Sequence, residues 1–528
     1  MTLIVIKLVG ISMNLTDIEF MKYVQEHLSV SLSELEKHLD KNQSTIMRSL
    51  KKINELMGDY RFLTLKSNRV IYRGAYSGYE QFMHRLSFRN YRSNQSERVK
   101  LLVLHLTLSG ELSKKTLYER LGISLSTLKN DNSELLALLD SYGLTATILH
   151  RKGTMVTGNE LNLRVMLANI IFDCIELSEA LKPSLHPAAT PVNKEIASMF
   201  LDSNQGYISQ ALALYHRLSQ QYGLKFSYNS KKYLIIYLCL SLKRASAGNN
   251  ISEVHPNEMV NTLHFSLFDD EKENQAVNQI ISTSTISRDV FNCYDELLTD
   301  ATHSFIDKVC ADLEENIFNR WELFCELYEL LKVSLSRAVI GVNIIDKKTD
   351  NVIQPDDTLS GLVCTHTSLL ERAAKTQISD AVRSNIVMIF KRFYLQNRMV
   401  DKKKVRVCVV SNSSQEKIMY FVEKLKLQYH IEYVRLVNSN EVFFLKDSDY
   451  DLLVTFTNKI SNYLEKIGKP YIKLSFELSD ADTAILNKLN LPRAARKINI
   501  NDFIDNIDSC SVDELKYHLR THYPEHFI

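Results

Sequence analysis

Closely spaced cysteines are missing from this sequence. The eight cysteines are scattered over 528 residues, and the closest two are Cys310 and Cys325. No CxxC pair exists, which excludes the usual spacing of zinc fingers and of dithiol redox sites. Isolated thiols are typical of proteins in a reducing compartment, so we expect a cytoplasmic protein without a metal or another cofactor.

Long hydrophobic runs are missing as well. The opening segment, residues 1–12, is apolar but shorter than the ~18–20 residues of a membrane span. It also lacks the charged leader and the small-residue cleavage site of a signal peptide. We therefore expect no membrane partner and interpret this segment as an extension ahead of Met13.

Net charge is small but unevenly distributed. The chain carries +2 overall, whereas residues 1–159 hold 22 Lys and Arg against 15 Asp and Glu. A basic N-terminal part suits a polyanionic partner. Hydrophobic residues make up 45% of the chain and charged residues 24%, as in ordinary globular proteins. At roughly 100–200 residues per domain, the length predicts several domains.

Residues 13–75 predict a winged helix-turn-helix domain. The apolar spacing predicts three helices, and Ser31 with Glu34 has the spacing of a capping box at the start of the second. The segments FLTLK and RVIYR alternate around Ser67 and Asn68, as the two strands of a wing do. Three helices followed by such a hairpin is the element order of a winged helix.

The same order returns over residues 95–160. Three helical stretches follow one another, and the third ends at Gly143. TATILH and GTMVTG then form a second wing around Lys152 and Gly153. Two independent passes through one pattern strengthen the prediction of two winged helix-turn-helix domains.

The third helix of the first unit supplies predicted DNA contacts. Ile46, Leu50, Ile53 and Met57 fall on one face, so the opposite face is expected to enter the major groove. There Arg48 suits a guanine edge, which it can bond with two hydrogen bonds. The other predicted contacts are made by the helix and the wing to DNA phosphates, and their residues are Ser44, Thr45, Lys51, Lys52, Arg69 and Arg73.

The third helix of the second unit has the same two faces. Leu128, Leu135 and Leu139 form its buried stripe, and Asn130 on the other face suits adenine. The remaining predicted contacts on this helix and its wing are Ser126, Thr127, Lys129, Arg151 and Lys152.

Helical periodicity dominates from residue 162 to about residue 397, and here the sequence repeats itself. Segments 237–251 and 330–344 align without gaps and are identical at eight positions. Two copies of one helical domain, residues 162–290 and 293–400, are the simplest account. The identical pairs are Leu238/Leu331, Ser241/Ser334, Leu242/Leu335, Arg244/Arg337, Ala245/Ala338, Gly248/Gly341, Asn250/Asn343 and Ile251/Ile344.

The period changes after Lys404. VRVCVV, IEYVRLV, DLLVTF and YIKLSF are short apolar segments typical of strands, and helical stretches lie between or after them. This order predicts an α/β domain with a mainly parallel sheet over residues 404–496. Residues 497–528 predict a polar helical tail.

Together these features resemble the Mga-type virulence regulators of Gram-positive bacteria, which are transcription regulators with phosphotransferase-system regulation domains (PRDs). The resemblance rests on SYGLTATILHRKGTMVTGNE, on the repeated L-x-x-S-L-x-R-A-x-x-G-x-N-I, and on the order of the domains. It spans nearly the whole chain. It implies a multi-domain, mainly α fold with two winged helix-turn-helix domains, two PRD-like domains and an α/β domain similar to enzyme IIB of sugar phosphotransferase systems.

The resemblance also implies partners and a mode of control. These are double-stranded promoter DNA, a second copy of the chain, and a phosphocarrier protein that phosphorylates PRD histidines according to sugar supply. Related PRDs commonly carry a regulatory histidine seven residues before the repeated arginine, where this chain has Tyr237 and Leu330. The remaining candidates for phosphorylation are His216, His264 and His303.

Two other classes of protein share parts of this plan. RNA-binding antiterminators also contain PRDs, but that group resembles a different plan, which opens with a small β-rich domain. A phosphotransfer enzyme of the IIB kind carries its reactive cysteine in the loop after the first strand. Here Ser411 stands at the strand exit and Cys408 lies within the strand, so we expect a regulator and no enzyme.

Overall fold

The computed structural model describes residues 12–57, 62–108, 113–150, 153–254, 265–286, 295–313, 320–344, 358–396, 404–446, 449–489 and 491. The predicted helical tail from residue 497 lies outside these ranges, as does most of the opening segment. None of the described helices is both long and apolar enough to cross a membrane.

The first unit has the three predicted helices and the predicted hairpin. Its three strands pair antiparallel in the order β1-β3-β2. Ser67 and Asn68 turn the hairpin with φ of 49° and 58°, the left-handed conformation that two-residue hairpin loops use. The short strand β1 was not predicted, because three residues are too few to show alternation. The elements are α1 (Leu15–His27), β1 (Ser29–Ser31), α2 (Leu32–Leu39), α3 (Gln43–Met57), β2 (Leu63–Lys66) and β3 (Arg69–Tyr72).

The second unit repeats the three helices and the hairpin. A helix that was not predicted, α4, joins it to the first unit. Gly143, with φ of 63°, marks the turn from the third helix into the hairpin. The elements are α4 (Tyr76–Arg85), α5 (Gln95–Leu108), α6 (Lys114–Arg120), α7 (Leu125–Asp140), β4 (Leu144–Leu149) and β5 (Gly153–Gly158).

A helical body follows over residues 160–396. Helices α8 to α12 share one apolar core with both preceding units, and α13 to α16 form a second core. A small hairpin, β6-β7, was not predicted. The elements are α8 (Glu160–Phe172), β6 (Ile175–Leu177), β7 (Pro183–Leu185), α9 (Pro191–Asn204), α10 (Ile208–Gln221), α11 (Tyr228–Ser246), α12 (Glu271–Ser282), α13 (Glu296–Asp312), α14 (Arg320–Ile340), α15 (Thr358–Ala374) and α16 (Asp380–Gln396).

The sequence repeat corresponds to a repeated helix end. Gly248 after α11 and Gly341 after α14 have φ of 82° and 78°. In both copies the amide of the next residue donates to the carbonyl oxygen of the repeated arginine at 2.9 Å. Ile251 and Ile344 are then buried. The repeat therefore encodes one way of ending a helix with a glycine and returning the chain to the core.

The C-terminal body, residues 404–489, contains a four-stranded sheet in the order β11-β10-β8-β9, with every pair parallel. The predicted strands and the mainly parallel sheet are confirmed. Apolar cores lie on both faces of the sheet. The elements are β8 (Val405–Val410), α17 (Gln415–Gln428), β9 (Ile431–Val437), a 3-10 turn (Val442–Phe444), β10 (Leu452–Thr455), α18 (Asn458–Lys466), β11 (Ile472–Lys473) and α19 (Asp480–Lys488).

Candidate nucleic-acid interface

Helix α3 presents the two faces that its sequence predicts. Ile46, Leu50, Ile53 and Met57 are buried against the other helices. Asn42 precedes the helix, and its side chain accepts hydrogen bonds from the first turn, which fixes the direction of the exposed face.

The exposed face of α3 carries most of the predicted contacts. The Ser44 and Thr45 hydroxyls donate to Asn42 Oδ1 at 3.1 and 2.9 Å, so both lie at the start of the helix. Arg48 is exposed and has no hydrogen bond or ion pair within the described chain. Lys51 is exposed, and its Nζ lies 3.9 Å from Glu55 Oε1, a weak surface pair. Arg48 and Lys51 are therefore available to a ligand.

Lys52, a predicted phosphate contact, forms an ion pair within the first unit. Its Nζ lies 2.6 Å from Oδ2 of Asp17, which is 1% exposed. The Ser49 hydroxyl donates to the other oxygen of Asp17 at 2.6 Å. Lys52 thus balances a buried carboxylate between α1 and α3. The pairing joins residues 35 apart in sequence, which local patterns do not reveal.

The wing of the first unit has two exposed arginines at the predicted positions. Arg69 donates from Nε to Ser29 Oγ at 3.0 Å and from Nη2 to the Ser29 carbonyl oxygen at 2.9 Å, so β1 orients it. Arg73 is exposed just after β3. Lys66, which was not predicted, is also exposed beside the hairpin turn.

Helix α7 of the second unit begins with a serine cap. The Ser124 hydroxyl accepts the Thr127 amide at 3.2 Å and lies 2.8 Å from the hydroxyls of Ser126 and Thr127. Lys129 and Asn130 are exposed on the next turn. The backbone carbonyl oxygen of Asn130 accepts a hydrogen bond from the Gln95 side chain. The Asn130 side chain makes no hydrogen bond to a described residue.

A buried carboxylate also braces this second unit. Asp131 on α7 is 1% exposed and receives Nε and Nη2 of Arg98 on α5 at 2.6 and 2.9 Å. The Tyr118 hydroxyl on α6 donates to the same carboxylate at 2.7 Å. This bonding raises the pKa of Arg98, and burial raises the pKa of Tyr118. All three helices are therefore tied together directly beside Asn130, a contact that sequence reasoning missed.

The second wing projects past its supporting core. Along one face of β4, Leu144 is buried, Ala146 is half-buried, and Ile148 is 83% exposed. The predicted wing contacts Arg151 and Lys152 lie outside the described residues. The exposure of Ile148 was not predicted, since an apolar residue in a strand normally indicates burial.

Two candidate phosphorylation residues are exposed on helices of the helical body. His216 lies on α10, and His303 on α13 stacks on Phe324 with ring centroids 4.1 Å apart. His264 lies outside the described residues. Tyr237, at the position of the commonly phosphorylated histidine, is fully buried.

The cysteine of the first strand of the C-terminal body is inaccessible. Cys408 in β8 is fully buried, and this burial raises the pKa of its thiol. A buried, protonated thiol is a poor nucleophile.

Comparison with known families singles out the second unit. Residues 84–170 match a family model described as the Mga helix-turn-helix domain. The matched stretch contains α5, α6, α7, the β4-β5 hairpin and most of α8. The match supports the resemblance to the Mga regulators and indicates a DNA-binding helix-turn-helix module in this stretch. No curated protein matches the chain.

Proposed function

We propose that this chain is a transcription regulator of the Mga type that binds promoter DNA through both helix-turn-helix units. The observation that carries the proposal is the start of α7, within the stretch that matches the Mga domain. There Ser126, Lys129 and Asn130 are exposed, while the Asp131 carboxylate anchors the same helix to α5 and α6. A rigidly held polar helix start is what major-groove recognition requires.

In each unit, one side chain contacts a base and others contact the DNA backbone. Asn130 reads adenine and Arg48 reads guanine, because their side chains are exposed and have no partner within the described chain. Lys51, Lys129 and the wing arginines Arg69 and Arg73 bind phosphates. Of the residues that we predicted for this interface, we leave out Lys52, because it pairs with Asp17.

The experiment that tests this proposal is capture of fragmented genomic DNA by the purified full chain. The wild-type protein should enrich a small set of promoter fragments. A variant with Lys129→Ala and Asn130→Ala should lose this enrichment, and the control Lys308→Ala, which removes an exposed lysine from α13, should keep it. Equal enrichment by all three proteins, or none by the wild type, would refute the proposal.

We further propose that the helical body senses the state of a sugar phosphotransferase system and that the chain acts as a homodimer. The exposure of His216 and His303 supports access by a phosphocarrier protein. The test is transfer of labelled phosphate from a phosphorylated phosphocarrier protein to the wild type and to His216→Ala, His264→Ala and His303→Ala variants, together with the mass in solution before and after transfer. Absence of label, or labelling that none of the three substitutions reduces, would contradict this part of the proposal.

The two alternatives fit the described residues less well. An RNA-binding antiterminator of the kind considered above uses a small β-rich domain to bind RNA, whereas residues 15–57 here form the helices α1, α2 and α3 with one short strand. A phosphotransfer enzyme of the IIB kind needs a reactive group after β8, where this chain has serines, and Cys408 lies within β8 and is buried.

A further inference from the structure

Helices α3 and α7, which carry the proposed base contacts, are joined by a continuous path of hydrogen bonds and ion pairs. The path runs through a connector, residues 83–92, which begins in the last turn of α4 and ends ahead of α5. Apolar residues of both helix-turn-helix units and of the connector also belong to one buried core. The contacts along this path decide whether the two units can move relative to each other.

On the side of the first unit, the path begins at the start of α1. The Asp17 carboxylate pairs with Lys52 of α3 and also accepts the backbone amide of Asn14 at 2.9 Å. In return, the Asn14 side chain accepts the Asp17 amide at 3.0 Å, which completes the capping box of α1. Because one carboxylate holds both partners, α3 and the start of α1 are fixed to each other.

The connector pairs directly with the residue ahead of this cap. Met13 is fully buried, and its amide donates to the Asn90 carbonyl oxygen at 2.9 Å. The Met13 carbonyl oxygen accepts the Arg92 amide at 2.7 Å. The connector itself is closed by a turn, in which the Ser87 amide donates to Asn90 Oδ1 at 2.8 Å. Sliding of the first unit along the connector would leave the backbone groups of a buried residue without partners, which is costly.

Tyr91 carries the path from the connector into the second unit. It is 3% exposed, and its hydroxyl donates to Glu97 Oε1 of α5 at 2.6 Å. The next residue of α5, Arg98, donates from Nη1 to the carbonyl oxygen of Ser93 at 2.6 Å and pairs with Asp131 of α7. The connector, α5 and α7 therefore share one network. Bonded polar networks of this kind make a core rigid.

The helical body holds the same connector through Lys194 of α9. Its ammonium group donates three hydrogen bonds to carbonyl oxygens at the end of α4. The acceptors are Met83 at 2.7 Å, His84 at 2.8 Å and Leu86 at 3.0 Å. All three donors of the ammonium group are thus used, at the end of a helix that attracts cations. Since α9 also packs against α5, Lys194 ties the connector to the second unit.

We infer that the two helix-turn-helix units of one chain act as a single rigid DNA reader. This reader binds a composite site whose two segments lie a fixed number of base pairs apart. Lys194 and Tyr91 are the positioning residues that fix this separation. The inference rests on the proposed function, because it requires that both units contact DNA, and it adds a property of the target duplex.

Spacing on duplex DNA changes both the distance and the direction of the second segment. Each added base pair moves that segment ~3.4 Å along the axis and turns it by about 35° around the axis. Two added base pairs therefore displace it by ~7 Å, which is beyond the reach of a hydrogen bond. A rigid reader then loses the contacts of one unit, whereas two flexibly linked units would follow the displaced segment.

The test uses the full-length protein and a promoter duplex that the wild type captures from genomic DNA. Protection of this duplex locates the two segments, because Arg48→Ala and Asn130→Ala should each weaken protection of a different one. Affinity is then measured for duplexes with two, five or ten base pairs inserted between the segments, ten being about one helical turn. We expect the wild type to lose about tenfold or more in affinity at every insertion, since one unit loses its base contacts.

Variants of the connector test the two positioning residues. Lys194→Met combined with Tyr91→Phe removes the side-chain donors that hold the connector. This variant should bind the captured duplex more weakly but lose clearly less affinity on insertion, because the second unit can then follow the displaced segment. General destabilisation would instead weaken binding to every duplex alike. Lys194→Arg, which keeps a cationic donor, and the matched control Lys308→Met at an exposed lysine of α13 should keep the spacing dependence of the wild type.

The possible results separate this inference from the proposed function. Equal affinity of the wild type for all spacings, or protection of a single segment, overturns the rigid reader and leaves DNA binding intact. The same spacing dependence in the double variant as in the wild type overturns the roles of Lys194 and Tyr91. Thermal unfolding shows whether the double variant is folded, and the two single variants take its place if it is not. Absence of any captured duplex would refute the proposed function itself and this inference with it.

Discussion

At the scale of single residues, each of the two helix-turn-helix units has a buried, hydrogen-bonded aspartate that sequence periodicity does not show. Asp17 binds Ser49 and Lys52 in the first unit, and Asp131 binds Arg98 and Tyr118 in the second. Exposed residues were predictable from helical spacing, because the apolar face fixes the opposite face. The partners of a buried carboxylate were not, since they come from distant helices.

Arg48 and Lys52 therefore separate binding from stability. Arg48→Ala should weaken binding to the captured DNA by about 1–3 kcal/mol, the contribution of a good base contact, and should leave the unfolding temperature unchanged. Lys52→Ala should lower the unfolding temperature, because it leaves Asp17 buried without its cation. Mobility shift and thermal unfolding of both variants provide the check. The assignment fails if the two variants show the same pair of effects.

The second buried cluster should determine the position of α7. Tyr118→Phe removes one hydrogen bond to Asp131 and should cost about 0.5–1.5 kcal/mol of unfolding free energy. Asp131→Leu should cost more, because Arg98 is then left half-buried without its carboxylate. Both costs can be measured by hydrogen exchange of the amides of residues 76–172 in the full chain at increasing denaturant concentrations. Equal protection of α7 in the two variants would contradict the ranking.

At the scale of elements, regular helices and alternating strands were predictable, and short or exposed elements were not. The helices α1, α2 and α3 and the parallel strands of the C-terminal body appear where their periods place them. The strand β1 and the hairpin β6-β7 are three residues per strand and were missed. Alternation needs more residues than these strands contain, and their pairing depends on tertiary contacts.

The repeated helix ends give a prediction of their own. Gly248→Ala and Gly341→Ala place a side chain at positive φ and should each lower unfolding free energy by roughly 1–2 kcal/mol. No atom lies within 4 Å of a Cβ added at Gly248, so backbone strain alone produces the effect there. Gly361→Ala is the control, because Gly361 lies inside α15 and has open space around it. Thermal unfolding should show that this control raises stability, and a loss there equal to that at Gly248 would refute the account.

A polar cluster between β6 and α18 should make stability depend on pH. His186 Nε2 lies 3.4 Å from Glu176, and Lys459 Nζ lies 3.1 Å from the same carboxylate. Desolvation, with Lys459, lowers the pKa of His186 to about 3, and nearby cations lower the pKa of Glu176 despite its desolvation. Lys22 and Lys232 also face the cluster and add to the effect on His186.

The sign of the pH effect follows from His186 taking up a proton more readily when unfolded. Its folded pKa is about 3 against 6.5 unfolded, so its contribution is complete above pH 6.5 and is lost as the pH falls towards 3. Glu176 acts in the same direction below its unfolded pKa. Unfolding temperature should fall from pH 7 to pH 5 in the wild type and fall less in His186→Gln. An identical pH profile for the two proteins would contradict the assignment.

At the scale of the whole molecule, both helix-turn-helix units are bonded to the parts behind them. Asn458 and Lys473 of the C-terminal body donate to the carbonyl oxygens of Gln25 and Glu26 at the end of α1, at 2.6 and 2.8 Å. In the second unit, Lys243 on α11 donates to the Leu108 carbonyl oxygen at 3.0 Å. These links were beyond sequence reasoning, because they join residues more than a hundred positions apart.

Loosening one of these links should affect one unit and spare the other. A variant with Asn458→Ala and Lys473→Ala should increase amide exchange in α1 and α3 and leave α7 protected, because only α1 loses partners. Hydrogen exchange with mass spectrometry resolves both regions. Uniform exchange increases in both units would mean that the contacts do not act locally.

The claim on which the rest depends is that the exposed faces of α3 and α7 enter duplex DNA. The most direct measurement is fluorescence anisotropy of the full chain with a captured duplex and with a hairpin RNA of the same sequence, over a range of salt concentrations. We predict tight duplex binding that weakens steeply with salt, as phosphate contacts release counterions, with little affinity for RNA and loss of binding in Arg48→Ala combined with Asn130→Ala. Equal affinity for the RNA, or unchanged binding in that double variant, would contradict the account.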